Sequence, residues 1–241
     1  MSRASINDLK NHPLGSVSTA TLPPVSVRIW GLGYLVDRLG ICECRRRVLH
    51  MLPGLLPALL LIVPHTDPWG PSLIGFVVAI SIAVVIYAIR RESDFARPHE
   101  SQWHQSVLGY TIPVVALLLL LPGRSEIGLM TLGILAFGDG SATAFGKMLR
   151  GPVLPWNRGK TWAGFLAFII NGSLMSGWIY WGETQNPEAL EMPLSLGRAL
   201  LLTAPAVVLC AIVESVPSRI NDNISVGVVG AVSLLLLSGF R

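Results

Sequence analysis

The chain has 241 residues, of which 51% are hydrophobic and only 13% charged, and its mean hydropathy is +0.58. Those values exclude an ordinary soluble domain and make lipid the expected solvent. At roughly 20 residues per crossing the length holds about seven spans and little else, so any chemistry is expected at helix ends and in short loops. The net charge of +4 does not indicate nucleic acid, because the basic residues lie between apolar runs, as in cytoplasmic loops beside anionic lipid.

Residues 1–24 are polar and carry several prolines, with no continuous apolar core, so they do not read as a cleaved signal peptide. They read as a flexible cytoplasmic arm. The segment 25–39 holds Arg28, Trp30, Tyr34 and Arg38 but is interrupted by Gly31, Gly33 and Asp37. That composition suits an amphipathic helix lying in the interface better than a span. The expected division is an arm over 1–44 and an all-α, polytopic transmembrane catalytic domain over 45–241. Cys42, Cys44 and Cys210 are too few and too badly spaced for a disulfide framework or a four-ligand zinc site.

Seven apolar runs follow, at 48–63, 71–89, 107–121, 127–145, 162–181, 197–213 and 224–240. Several are short for a bilayer of about 30 Å, which leaves room for a tilted or re-entrant segment. One set of alternate loops carries Arg45, Arg46, Arg47, Arg90, Arg91, Arg97, Lys147, Arg150, Arg158, Lys160 and Arg219. The opposite set has Arg124 and, over 182–196, Glu183, Glu188 and Glu191. This asymmetry puts the basic set in the cytoplasm. Trp69, Trp103, Trp162, Trp178 and Trp181 lie near run ends, where aromatic rings favour the interface.

The stretch Phe137-Gly138-Asp139-Gly140-Ser141-Ala142-Thr143-Ala144-Phe145-Gly146 places a carboxylate among small residues at the cytoplasmic end of a run. An ionisable group there is costly unless something offsets it. Gly138, Ser141 and Gly146 leave space either for a neighbouring helix or for a phosphate. Lys147, Arg150, Arg158 and Lys160 come next, in a loop with Pro152, Pro155 and Asn157. Four cations beside one carboxylate suit a polyphosphate bridged to Asp139 by a divalent ion, although topogenic charge alone accounts for the cations. Lys160 stands at the threshold of the next span, with Gly164 one turn later on the same face.

Glu214 ends one span and Asp222 precedes the next, at the membrane level of Asp139. Three carboxylates at one depth repel each other unless a cation lies between them, and Mg²⁺ with phosphate is the natural choice. Alternatively Asn221 and Asp222 simply cap the last helix. Arg46 and His50 are four apart and share a face; with Arg47 they read as supporting groups, or His50 as a packing residue. No Walker A pattern, glycine-rich kinase loop or His-Glu-x-x-His motif is present.

These residues resemble the phytol kinase and dolichol kinase family of integral membrane lipid kinases, related more distantly to phosphatidate cytidylyltransferases. Gly138-Asp139-x-x-Ala142-x-x-x-Gly146 resembles the family's central motif, and Leu154-Pro155-x-Asn157-Arg158-x-Lys160-Thr161-x-x-Gly164 its basic loop. Arg46-Arg47-x-x-His50 is similar to its first motif, normally Arg-Lys-x-x-His, and Glu214-Ser215 with Asp222-Asn223 to its last. Arg47 departs from the usual lysine, and Gly227 from a common proline.

The resemblance implies phosphoryl transfer from a nucleoside triphosphate, CTP above all, to the hydroxyl of a long isoprenoid alcohol such as phytol or a polyprenol. Asp139, Lys160 and Asp222 are then the catalytic set. Asp139, Glu214 and Asp222 would hold Mg²⁺, or one of these acids would deprotonate the alcohol. Gly138, Ser141, Gly146, Lys147, Arg158 and Lys160 would hold the nucleotide, with Arg46, Arg47, His50, Asn157 and Asn223 behind them. The expected setting is a multi-pass membrane protein with its site facing the cytoplasm; a second copy of the chain is a further candidate partner. The rivals are a cytidylyltransferase making a CDP-lipid and, from another class, a lipid or ion transporter, against which the charges cluster at one face rather than the midplane.

Overall fold

In lipid every backbone amide has to be satisfied within its own segment, so apolar runs fold as helices. The computed structural model describes residues 32–60, 63, 65–96, 103–189 and 192–239. Most of the arm, together with Arg97, His99 and Glu191, lies outside these. The helices are α1 (Leu32–Leu39), α2 (Ile41–Met51), α3 (Leu56–Leu60), α4 (Pro71–Arg90), α5 (Glu92–Phe95), α6 (Trp103–Leu120), α7 (Ser125–Gly133), α8 (Gly140–Leu149), α9 (Trp162–Glu183), α10 (Leu196–Ser215) and α11 (Asp222–Gly239). A boundary at 44/45 therefore cuts through α2.

Among the described residues five helical segments, rather than the seven expected runs, are long and apolar enough to cross a membrane: α4, α6, α7 continued into α8, α9 and α10. Helix α11 is apolar but shorter by that measure. The run at 48–63 is not a continuous span. Helix α2 stops at Met51, a 3₁₀ turn covers Leu52–Leu55, and α3 resumes for five residues. Pro53 and Pro57 each remove a backbone donor, and Gly54 lies so close to the central helix that a Cβ there would clash with that of Ala136.

The central helix is α7–α8, joined by a π turn over Ile134–Asp139. In its apolar stretch 78% of residues are buried, against 6% in α4, which packs at the periphery on α6. Helices α6, α9 and α11 surround the centre, and α10 closes the bundle against α9 and α11. Lipid supplies no hydrophobic drive between helices, so close packing of small residues has to hold them. At the π turn, a Cβ on Gly172 of α9 would lie 3.5 Å from the Gly138 Cα, and one on Gly138 would lie 2.9 Å from the Phe168 ring.

The loop after α8 folds into an antiparallel hairpin, β1 (Val153–Leu154) and β2 (Asn157–Thr161). Strand β2 runs directly into α9, where the Thr161 hydroxyl accepts from the Gly164 amide at 3.1 Å as an N-cap. A Cβ on Gly164 would stand 2.7 Å from the Ala142 carbonyl oxygen of α8. Gly164→Ala is therefore expected to push α9 off α8 and cost about 1–3 kcal/mol, seen as a lower melting temperature in detergent.

Candidate active site

The break in α2 and the π turn in the central helix meet at Asp139. His50 Nε2 lies 2.9 Å from the Leu135 carbonyl and 3.1 Å from Asp139 Oδ2. Both are acceptors, so this nitrogen carries the proton and donates. Arg47 Nη1 donates to the same carboxylate oxygen at 3.5 Å, and its Nε donates to Glu43 Oε1 at 3.1 Å. Glu43 is buried and also meets Lys147 Nζ at 3.3 Å through its other oxygen. A chain of alternating charge thus runs from Lys147 through Glu43 and Arg47 to Asp139, offsetting the cost of each buried ion.

A second group forms around Lys160 at the end of β2. Its Nζ lies 2.8 Å from Glu214 Oε1, 3.1 Å from Asp222 Oδ2, and also donates to the Glu214 backbone carbonyl. Burial opposes the charge on Lys160, but the Glu214 and Asp222 carboxylates outweigh it, so its pKa is raised and it remains an ammonium. The hairpin is pinned to the end of α10: Asn157 Nδ2 donates to the Ser215 carbonyl at 3.0 Å and Trp156 Nε1 to the Ser215 hydroxyl at 3.1 Å. The Asn221 carboxamide oxygen accepts the Asn223 amide at 3.0 Å and caps α11, which leaves Asp222 to Lys160. Asn223 Nδ2 donates to the Ser106 carbonyl at 3.2 Å, tying α11 to α6.

Both groups line one cavity of about 720 Å³, which contains Arg46, Arg47, His50, Asp139, Gly146, Lys147, Lys160, Glu214, Asp222 and Asn223 on its walls. Four expected site residues are elsewhere. Gly138 faces Phe168, and the buried Ser141 hydroxyl bonds to the Gly138 and Ala167 carbonyls at 3.0 Å, so both serve helix packing. Asn157 supports the hairpin from behind. Arg158 is exposed on the hairpin and outside the cavity lining.

The three carboxylates expected to hold Mg²⁺ fall into two groups. Glu214 and Asp222, from different helices, face a single cationic centre, now the Lys160 ammonium; two carboxylates completed by phosphate oxygens suit Mg²⁺. Asp139 is instead paired with Arg47 and His50. Among the described residues no three His, Cys, Asp or Glu side chains converge as a metal cage.

The sequence reading missed Tyr110, which lines the cavity, and Glu43, which stands behind Arg47 outside the lining. Tyr110 of α6 stacks obliquely on His50, with ring centroids 4.6 Å apart, and Arg46 lies 5.1 Å over the Trp103 ring. Glu43 had a visible signal, since it precedes Arg47 by four and shares its helix face. Away from the charges the cavity becomes apolar, bounded by α3, α4, α6 and α7 through Leu60, Leu73, Val77, Val114, Leu118 and Leu132.

Comparison with known proteins places the chain beside plant enzymes. It is 31% identical over 170 residues to a probable phytol kinase 1, chloroplastic, of Oryza sativa subsp. japonica, covering 66% of this chain and 52% of that one. It is 31% identical over 165 residues to a probable phytol kinase 2, chloroplastic, of Glycine max, with coverage of 67% and 54%. It is 30% identical over 174 residues to a probable phytol kinase, chloroplastic, of Zea mays, with coverage of 67% and 55%. The chain spans about half the length of these relatives. No family model and no solved structure matches it. By this shared stretch, about two thirds of its length, the chain belongs to the phytol kinase family.

Proposed function

We propose that this protein transfers the terminal phosphoryl group of a nucleoside triphosphate, CTP in the first instance, to the hydroxyl of an isoprenoid alcohol held in the membrane. The observation that carries this reading is the continuity of one cavity from a charged head, around Asp139 and Lys160, into an apolar slot between helices. A triphosphate needs the first and a lipid tail the second. Leu59 and Phe76, which line the slot, are 60% exposed on the outer face of the bundle, so the tail would enter sideways between α3 and α4.

Phosphoryl transfer asks mainly for positioning and charge neutralisation. Asp139, at the junction of head and slot, would orient the alcohol and accept its proton as the new oxygen–phosphorus bond forms. The bond from the terminal phosphorus to its bridging oxygen breaks in the same displacement, and the nucleoside diphosphate leaves with that electron pair. Lys160 and Lys147 would hold the phosphate oxygens, while Arg47 and His50 keep the Asp139 carboxylate in place. Glu214 and Asp222 would hold Mg²⁺, which neutralises charge on the transferring group. The positive-inside rule supports a site at the basic, cytoplasmic face.

The test is product analysis with purified protein, magnesium, labelled CTP and a panel of isoprenoid alcohols and phosphorylated lipids. CDP with a lipid monophosphate is the expected result. Pyrophosphate with a CDP-lipid would move the protein to cytidylyl transfer, and no turnover with any triphosphate would overturn the enzyme reading.

A further inference from the structure

Opposite the charged head, the slot ends at a built wall. Trp69 lines the cavity and is 5% exposed, immediately before α4. The His65 ring meets it edge-on, with centroids 6.0 Å apart and planes at 87°. His65 is itself held: its Nε2 lies 3.3 Å from Glu183 Oε2 at the end of α9, and its carbonyl accepts from Asn186 Nδ2 at 2.8 Å. None of these groups touches the charged head, and no step of phosphoryl transfer uses them. A polar brace behind an indole, at the far end of an apolar slot, holds that indole in a fixed position.

The slot's length follows from the helices beside it. The charged head already occupies the first turns of α6, since the Ser106 carbonyl accepts from Asn223 and Tyr110 packs on His50 beside Asp139. Beyond it the lining runs from Tyr110 to Leu118 on α6 and from Asp139 back to Leu129 on the central helix. At a rise of 1.5 Å per residue these stretches are about 12 Å and 15 Å long. An extended chain advances about 1.2 Å per bond, judging from the reach of the three-bond peptide unit, so the slot takes on the order of 12 main-chain carbons. Three isoprene units have that length.

We propose that Trp69, braced by His65 and Glu183, is the floor of the slot and sets the longest alcohol tail that fits between it and Asp139. This rests on the kinase reading of the same cavity for its substrate, but the wall can be probed without turnover. A rigid aromatic floor rejects surplus methylenes because they have nowhere to pack, and discrimination on that scale is about tenfold or more.

Turnover should be compared across geraniol, farnesol, geranylgeraniol and a longer polyprenol. Trp69→Ala is expected to raise the ratio of geranylgeraniol to farnesol by about tenfold or more. Val114→Phe, which adds bulk to the wall about 12 Å from Ser106, is expected to lower the ratio of farnesol to geraniol. In parallel, a straight-chain alcohol brominated at its terminal carbon is titrated into wild-type protein and Trp69→Phe. Quenching of indole fluorescence that disappears in the variant places the tail end at Trp69 whether or not any alcohol is phosphorylated. Unchanged length ratios in both slot variants, or equal quenching in wild type and Trp69→Phe, overturn the floor. Phosphorylation of none of the alcohols by wild type, with quenching lost in Trp69→Phe, would overturn the kinase reading and keep the floor.

Discussion

Asparagine in place of Asp139 is expected to lower kcat by about 10²- to 10⁴-fold, the range in which a positioned acid–base group contributes. The substitution keeps shape and removes only the charge and the ability to take a proton. Its neighbours tolerate the change unequally. His50 retains the Leu135 carbonyl as an acceptor, and Arg47 retains Glu43, so the fold loses part of two interactions rather than stranding an ion. Alcohol binding, set by the slot, should change little. The check is kcat and KM for the alcohol together with a thermal melt of the same preparation. A variant that folds and turns over at the wild-type rate would remove Asp139 from the chemistry.

Methionine in place of Lys160 should be more damaging, because this ammonium does two things. It stands between Glu214 and Asp222 and it is the cation that would meet the transferring phosphates. Removing one partner of a fully buried ion pair costs about 3–5 kcal/mol; the Lys160 side chain keeps 26% of its exposure, so a discounted figure of about 2 kcal/mol applies. Turnover should fall at least as far as with Asp139→Asn, and KM for the nucleotide should rise. Lys160→Arg should recover stability before activity, since a planar guanidinium does not reproduce a compact ammonium between two carboxylates. Magnesium offers a second readout. If Glu214 and Asp222 take it in the working enzyme, raising its concentration should restore part of the lost stability of Lys160→Met, and no recovery would argue against that pair as its site.

Much of the fold was legible because bilayer physics acts on single residues. A run of apolar side chains has no alternative to a helix in lipid, so α4, α6, α9 and α10 follow from hydropathy alone. The run at 48–63 misled for the same reason: its composition is apolar, and Pro53 with Gly54 decides the break only once Gly54 has to lie against Ala136. The hairpin was also hidden. Its residues read as a loop, and only the anchoring of Trp156 and Asn157 on Ser215 shows why the chain turns back there.

By itself the sequence determined that the protein is a helical membrane protein, that its ionisable residues gather at one end of the helices, and that Asp139, Lys160, Glu214, Asp222, Arg47 and His50 are the residues to watch. These follow from charge in an apolar context, which is a local property. Only the tertiary structure decided how those charges pair, with Asp139 on Arg47 and His50 and with Lys160 between Glu214 and Asp222. It also moved Gly138 and Ser141 from phosphate binding to helix packing, drew Glu43 out of the arm, and joined Trp69 to the far end of the slot. Each of these depends on which faces of distant helices meet. Periodicity shows that a face exists, but a side chain's partner is set by packing between segments as far apart in the chain as residues 47 and 139 or 160 and 222.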